Sequence, residues 1–175
     1  MTTAPLRLAA SAAALADDFA RVRADLDVPT AFPADVDAEA NAVTARGPKL
    51  PPGVPDVARL DARDLELVTV DPSGSRDLDQ AFHAERQGSG FRVRYAIADV
   101  AAFVAPGGAL DREAFTRGET LYLPDGRAPL YPDVLGEGAA SLLPGVDRPA
   151  LLWTFELDAE ARPITTRCQR ATVQS

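Results

Sequence analysis

The chain has 175 residues, of which 46% are hydrophobic, enough for the core of one ordinary domain but not of two. Its net charge of −8 argues against a free-standing, non-specific nucleic-acid binder, because affinity for phosphates comes largely from clustered Lys and Arg. The single cysteine, Cys168, excludes an internal disulfide, and the single histidine, His83, excludes a Cys/His zinc cluster. No apolar run approaches the roughly 20 residues of a membrane span. We therefore expect a cytoplasmic protein without a membrane partner.

Residues 1–62 are predicted to form an N-terminal helix followed by a connector. An amphipathic helix ending near Leu26, before Pro29, is indicated by apolar residues spaced at steps of four and three. These residues are Leu8, Ala12, Leu15, Phe19, Val22 and Leu26. From Val28 to Leu60 the chain is rich in proline and alanine. Because proline fixes φ and donates no backbone hydrogen bond, this stretch is predicted to be extended, without helix or strand.

Residues 63–175 show the apolar and polar alternation that is typical of β-strands. Strands are predicted over LELVTVD, QAFHAERQ and FRVRYAIADVAAFV, and a helix over ALDREAFTRGET. The stretch from Gln87 to Gly90 indicates a hairpin between the last two strands. A longer hairpin is predicted from Pro149 onward, turning near residues 159–163. Because the alternation is still running where the sequence stops at Ser175, we expect an incomplete domain.

The third predicted strand has two different faces. Side chains alternate along a strand, so Phe91, Val93 and Tyr95 point to one side of it. Arg92 and Arg94 point to the other side. One face is therefore expected to be buried, and the other to be exposed to water or to a ligand.

Three aspartates, Asp71, Asp77 and Asp79, lie within nine positions around the turn-forming residues 72–75. Like charges repel, and more strongly as water is removed, so this segment is either a solvated loop or a binding site for a cation. Asp77 and Asp79 share a face if the chain is extended there, and the turn could bring Asp71 back towards them. Such oxygen ligands suit Mg²⁺. Spacing alone leaves the loop and the metal site both open.

Four segments occur in the order TVDPSGSRDLDQAF, YAIADVAAFV, GGALDREAFTRGETLYLPDGRAPLYPDVL and SLLPGVDRPALLWTFELD. Together they resemble the RNB catalytic domain of the ribonuclease II and ribonuclease R family, from Leu65 to Ser175. The resemblance implies the first part of an α+β domain, with a mixed, largely antiparallel sheet and flanking helices. It implies hydrolysis of single-stranded RNA from the 3′ end to nucleoside 5′-monophosphates with Mg²⁺ or Mn²⁺. DNA is not an expected partner.

The resemblance also assigns a metal site. Asp71, Asp77 and Asp79 match the first three acidic positions of the family's site, and Asp77 and Asp79 are expected to be catalytic, with Asp79 the more critical. Gln80 stands where a fourth acid is usual. Its amide oxygen can still coordinate a metal, but it carries no charge and binds Mg²⁺ more weakly than a carboxylate does.

RNA-binding residues follow from the same resemblance. Tyr122 matches the position whose ring stacks near the 3′ end of the RNA, although an ordinary half-buried tyrosine is the alternative. Arg76 is expected to neutralise Asp71 or to contact a phosphate, and a surface ion pair is the alternative. Asp99 is expected to have a structural role, capping the turn that follows it.

Two functions remain open at the level of sequence. In the first, the complete protein is a 3′-to-5′ exoribonuclease, and the 175-residue chain alone has little or no activity. In the second, the chain is a catalytically inactive remnant that serves as an RNA or protein interaction module.

Overall fold

The structure, a computed structural model, describes residues 12–50 and 58–175, with the side chains of residues 12–14 excepted. Its α-helices are α1 (Ala12–Asp25), α2 (Ala34–Arg46) and α3 (Ala109–Arg117). The strands, in chain order, are β1 (Leu60–Ala62), β2 (Gln80–Gln87), β3 (Gly90–Ala98), β4 (Leu121–Leu123), β5 (Gly126–Ala128), β6 (Arg148–Leu157) and β7 (Pro163–Val173). A 3-10 helix (Val100–Ala102) and a π-helical segment (Val134–Ala139) complete the regular structure of these ranges.

Five strands form one mixed sheet in the order β1-β7-β6-β3-β2. The β7-β6, β6-β3 and β3-β2 pairs are antiparallel, and β1 pairs parallel to the last residues of β7. Strands β4 and β5 form a separate two-stranded ribbon. The predicted α+β class with a largely antiparallel sheet is therefore confirmed, as are the hairpins between β2 and β3 and between β6 and β7 and the helix α3.

Two groups of buried apolar side chains form the core of the described residues. One group packs on the sheet and consists of Ala62, Leu67, Leu78, Ala81, Ala96, Leu142, Ala150, Leu152, Ala171 and Val173. The other joins α2 to α3 and the π-helical segment, and consists of Val36, Ala40, Val43, Ala102, Phe103, Val104, Leu110, Leu135 and Ala140. Burial of this apolar surface is the main force that stabilises the fold. Among the described helices, none is long and apolar enough to cross a membrane.

The prediction of an extended connector from Val28 to Leu60 is wrong over Ala34–Arg46, which forms α2. The prolines that suggested a connector flank this helix and do not interrupt it. Pro33 occupies the N-cap, where the missing N–H removes no helical hydrogen bond. Within the helix, residues 36, 40 and 43 lie on one face and are buried. This apolar face, and not the proline content of the window, decides the local structure.

Two further predictions, the bounds of α1 and a strand over LELVTVD, are compared with the structure here. Helix α1 ends at Asp25, close to the predicted Leu26, whereas its predicted start at Leu8 lies outside the described residues. The strand predicted over LELVTVD does not form. Only Val68 pairs, with Phe82, through two backbone hydrogen bonds of 2.9 Å. Val70 is 80% exposed, so its β-branched side chain has no surface to pack on, and packing is what gives such residues their strand preference.

The two faces of β3 are both partly covered. Phe91, Val93 and Tyr95 are half-buried and not fully buried as expected. Ala96, which is fully buried, lies on the side of the arginines. Near the C-terminal end of β3, this side of the strand is part of the core, through Ala96. Near the N-terminal end, Arg92 on the same side pairs with Glu156 at 2.6 Å.

Candidate active site

One open pocket of about 730 Å³ lies beside the start of the edge strand β2. Every site residue predicted from the sequence lines it: Asp71, Arg76, Asp77, Asp79, Gln80 and Tyr122. The ribbon β4-β5 contributes Tyr122 and Arg127 to the same wall. Residues as distant in the sequence as Asp71 and Arg127 thus share one surface.

The acidic segment is shaped by a turn and by one buried leucine. The Ser75 N–H donates to the Pro72 carbonyl at 3.1 Å, and Gly74 adopts φ 90° at this turn, a conformation that favours glycine. Leu78 is buried, so Asp77 and Asp79 on either side of it both reach the pocket, as predicted. The Asp79 carbonyl accepts from the Ala98 N–H at 2.9 Å, which attaches the segment to the sheet.

Asp77 already has two hydrogen-bond donors. Its Oδ2 atom accepts from the Tyr122 hydroxyl at 3.0 Å and from Arg127 Nη1 at 3.2 Å. The bond to Asp77 is also the main reason why the pKa of Tyr122 is raised above its ordinary value. Arg127 pairs in addition with Asp133 at 3.2 Å and with Glu137. Arg127 is therefore a resident positive charge within the acidic pocket.

The Asp79 carboxyl group is perturbed by its surroundings. Desolvation raises its pKa above the ordinary value, and the negative charges of Asp77 and Asp71 raise it further. Asp71 lines the same pocket as Asp77 and Asp79. A bound cation would relieve this repulsion.

The donor set suits a hard divalent cation, but its carboxylates are not drawn together into a complete ligand group. Within residues 12–50 and 58–175, no three His, Cys, Asp or Glu side chains are grouped closely enough to hold a metal ion. Asp71, Asp77 and Asp79 supply only oxygen atoms, which Mg²⁺ and Mn²⁺ prefer. The chemistry of the residues fits such an ion.

The structure also shows the contacts and exposure of the remaining predicted residues. The side-chain oxygen of Gln80 accepts a hydrogen bond from the Tyr95 hydroxyl. Tyr122 is 72% exposed, so the alternative of a half-buried tyrosine is wrong. Arg76 lies 3.9 Å from Glu137 and is not paired with Asp71. Asp99 makes no capping hydrogen bond; its buried carboxylate pairs instead with Arg59 at 2.8 Å and with Arg170 at 3.4 Å.

Three residues of the site region were missed by sequence reasoning. Arg127 lies in the third motif and Glu137 two residues after it, but nothing in their spacing connects them with Asp77, some 50 to 60 positions earlier. Ser141 is fully buried, and its Oγ atom accepts from the Leu78 N–H at 2.9 Å and donates to the Arg76 carbonyl at 2.6 Å. A serine beside an apolar pair carries no signal of such a role.

A mixed sheet with an acidic pocket at its edge strand defines the class of this chain, an α+β fold with a carboxylate-rich site. The RNB domain family model matches residues 59–175. Ribonuclease R of Acidithiobacillus ferrooxidans is 45% identical over 117 residues, which are 67% of this chain and 27% of that protein. The chain belongs to the RNB domain family, which confirms the resemblance found in the sequence.

Solved structures show the same fold. Mycoplasma genitalium RNase R, solved in complex with double-stranded RNA and with ribose methylated single-stranded RNA, matches with a TM-score of 0.79 at 29% identity. These matches cover 90% of this chain and 27% and 24% of those chains. Yeast Ssd1, a pseudonuclease, matches with a TM-score of 0.61 at 18% identity, over 81% of this chain and 20% of that one, and shows the fold alone. The present chain spans about a quarter of the length of these two ribonuclease R proteins, from Acidithiobacillus ferrooxidans and Mycoplasma genitalium.

Proposed function

We propose that this chain carries the metal-binding part of the active site of an exoribonuclease that hydrolyses single-stranded RNA from its 3′ end. The observation that carries the proposal is the pocket of an RNB-family chain in which Asp71, Asp77, Asp79 and Tyr122 meet. The names of its relatives and the RNA bound by Mycoplasma genitalium RNase R support the substrate class. A cytoplasmic location remains a prediction from composition.

The reaction we propose is hydrolysis of the last phosphodiester bond. The oxygen of water forms a bond to phosphorus, and the bond from phosphorus to the 3′ oxygen of the preceding nucleotide breaks. The RNA keeps a 3′ hydroxyl, and the released nucleoside carries a 5′-monophosphate. Asp71, Asp77, Asp79 and Gln80 would hold Mg²⁺ or Mn²⁺ for this step. When bound, such an ion lowers the pKa of a water and stabilises the charge that develops on the phosphate.

Asp77 and Asp79 are the proposed catalytic residues. Both reach the pocket from the same extended segment, and the repulsion that raises the pKa of Asp79 would be offset by a cation. The charges of Asp77 and Asp71 both act on Asp79, so its removal should affect the site most.

Tyr122 and Arg76 are proposed to bind the RNA. The Tyr122 ring is largely exposed at the pocket wall, so one of its faces is available to a base. Stacking of a base on an aromatic side chain contributes about 1–3 kcal/mol and is tolerant of sequence, which suits a degradative enzyme. Arg76 is also exposed, and among the described residues its guanidinium pairs only with Glu137, at 3.9 Å, so it can reach a phosphate.

Asp79→Asn tests this proposal in the full-length enzyme. We expect the parent enzyme with Mg²⁺ to shorten a 5′-labelled single-stranded RNA from its 3′ end, and the variant to lose at least about a hundredfold in rate, because one metal-binding charge is removed. Asp17→Asn, an exposed change on α1 outside the pocket, is the matched control and should retain the parental rate. Parental activity of Asp79→Asn would show that the metal-site assignment is wrong.

One observation favours the second function, a binding module without turnover. Gln80 replaces a charged ligand by a neutral one, and its oxygen is already engaged by Tyr95. The same assay separates the two functions, because a module would bind the labelled RNA but leave its length unchanged with either Mg²⁺ or Mn²⁺. For the 175-residue chain by itself we expect little or no activity.

A further inference from the structure

The ribbon β4-β5 directs two donors at one oxygen atom of the pocket. Tyr122 and Arg127 are direct partners in the ribbon's register, so their side chains project from the same face. Both end at Asp77 Oδ2, the tyrosine hydroxyl at 3.0 Å and the guanidinium at 3.2 Å. Within the described residues, the other oxygen, Oδ1, accepts no hydrogen bond.

A carboxylate with both donors on one oxygen cannot turn freely about its bond to Cβ, because a rotation would break those hydrogen bonds. The oxygen without donors then keeps a fixed direction. Hydrogen bonds of this kind are how proteins orient the carboxylates that ligate metals. We propose that the Tyr122 hydroxyl is a positioning group that holds Asp77 with Oδ1 available to the metal ion. This inference rests on the proposed function, and it gives Tyr122 a role separate from base stacking.

The ribbon itself is well fixed, so the hydroxyl is presented from a stable position. At the turn between β4 and β5, Asp125 accepts two hydrogen bonds from Arg23 of α1, at 2.6 and 2.7 Å. At the base of the ribbon, the Leu130 N–H donates to the Thr120 hydroxyl at 3.0 Å. Bidentate arginine–carboxylate pairs add geometric specificity as well as energy.

Two substitutions of Tyr122 can separate its proposed role in base stacking from its role in positioning Asp77. The ring is 72% exposed, so removing its hydroxyl leaves no cavity in the core. Tyr122→Phe keeps the stacking surface and removes only the donor to Asp77. Tyr122→Leu removes both the donor and the aromatic ring. If positioning is the role that matters for metal binding, the two variants should bind metal equally poorly.

The test is a titration of the 175-residue chain with Mn²⁺, in which the free ion is followed by electron paramagnetic resonance without RNA. We expect Tyr122→Phe and Tyr122→Leu each to raise the dissociation constant about tenfold, the lower end of the range for groups that orient metal ligands. Tyr131→Phe is the matched control, since the Tyr131 hydroxyl makes no hydrogen bond to any described aspartate. It should bind Mn²⁺ as the parent does. Thermal unfolding in a chelator should be the same for the parent and for Tyr122→Phe.

The outcomes distinguish this inference from the proposed function. If the parent binds Mn²⁺ and Tyr122→Phe binds it equally well, the positioning role is wrong while the metal site stands. If the two Tyr122 variants differ, with only Tyr122→Leu weakened, the ring and not the hydroxyl supports the site, which also overturns the inference. If the parent binds no Mn²⁺, the metal site of the proposed function fails, and the positioning role fails with it.

Discussion

The Ser141 hydroxyl is one of the groups that attach the acidic segment to the rest of the molecule. Ser141 Oγ accepts from the Leu78 N–H and donates to the Arg76 carbonyl, so it holds the backbone on both sides of Asp77. In the buried surroundings of Leu78 no water is at hand to replace this partner. The direction of two catalytic candidates therefore depends on a residue with no catalytic chemistry of its own.

Ser141→Ala should destabilise the chain by about 1–3 kcal/mol, because it leaves a buried N–H without an acceptor. Urea denaturation followed by circular dichroism measures this loss. Ser89→Ala, in the exposed turn between β2 and β3, is the control and should change the free energy of unfolding by less than about 0.5 kcal/mol. Equal stability of the two variants would mean that the Ser141 hydroxyl does not hold the segment.

Asp79 makes stability depend on pH in the absence of metal. Since its pKa is raised in the folded chain, the folded state holds the proton more tightly than the unfolded state does. The resulting stabilisation is present below the pKa of an unfolded aspartate and is lost as the pH rises through the folded pKa. Ionised Asp79 therefore destabilises the metal-free fold at neutral pH.

We accordingly expect Asp79→Asn to raise the melting temperature of the metal-free chain at pH 7.5 and to raise it less at pH 4. The measurement is thermal unfolding in a chelator at both pH values, with Asp17→Asn as the control that should show no such difference. A lower melting temperature for Asp79→Asn at pH 7.5 would contradict the repulsion between Asp79 and its neighbours.

At the scale of elements, α2 caps α3. Glu39 of α2 accepts from the N–H groups of Ala109 and Leu110, at 2.5 and 3.3 Å, where α3 begins. The N-cap residue Gly108 has no side chain to do this, and a Cβ there would lie 2.4 Å from Glu39 Oε1. A carboxylate at a helix N-terminus also interacts favourably with the helix dipole.

Glu39→Ala is expected to destabilise the chain by about 1 kcal/mol, as the loss of a helix cap usually does. Glu39→Gln should lose less, because an amide oxygen can still accept the hydrogen bonds. Urea denaturation gives both values, and Glu160→Ala, in the exposed turn between β6 and β7, provides the control. If Glu39→Ala were as stable as Glu160→Ala, the cap would contribute nothing.

The sequence predicts those elements whose periodicity is local. Strands β2, β3, β6 and β7 alternate along their own length, and α3 has helical spacing, so each could be found from its own residues. Helix α2 was not predicted, because the prolines on either side of it indicated an extended connector. The strand expected at residues 65–71 failed because its side chains have little to pack against, and packing is a property of the folded chain. Which face of β3 is covered likewise depends on partners far away in sequence.

The candidate site likewise contains residues that could be predicted from short segments and residues that could not. The aspartates could be predicted because they lie within one short segment, and Gln80 and Tyr122 because their motifs resemble those of a family. Arg127 and Ser141 could not, because their contacts form only when the ribbon and the sheet meet. For the same reason the sequence predicted a structural role for Asp99 but not its partners, Arg59 and Arg170.

At the scale of the whole molecule, helices α1 and α2 are joined to the RNB region. Arg23 of α1 binds Asp125 in the ribbon, and α2 shares a buried core with α3 and the π-helical segment. Arg117 of α3 stacks over Phe32 at 3.7 Å. Residues before the family match at residue 59 therefore support the ribbon that carries Tyr122. The proposed division at residue 62 remains a prediction.

The net charge of −8 agrees with a site that gains its positive charge from a bound ion. A strongly basic groove would not be needed if the phosphate of the last nucleotide is bound through the metal and the bases stack on aromatic rings. The acidic pocket and the exposed Tyr122 ring are the two parts that this mode of binding requires.

The most direct test of the central claim is the fate of a water oxygen during RNA degradation by the full-length enzyme. In ¹⁸O-labelled water with Mg²⁺, we predict that each released nucleotide is a nucleoside 5′-monophosphate with one ¹⁸O in its phosphate. Asp79→Asn should release almost none. Release of unlabelled nucleotides, or intact RNA under conditions in which the enzyme is folded and binds it, would contradict hydrolysis at this pocket.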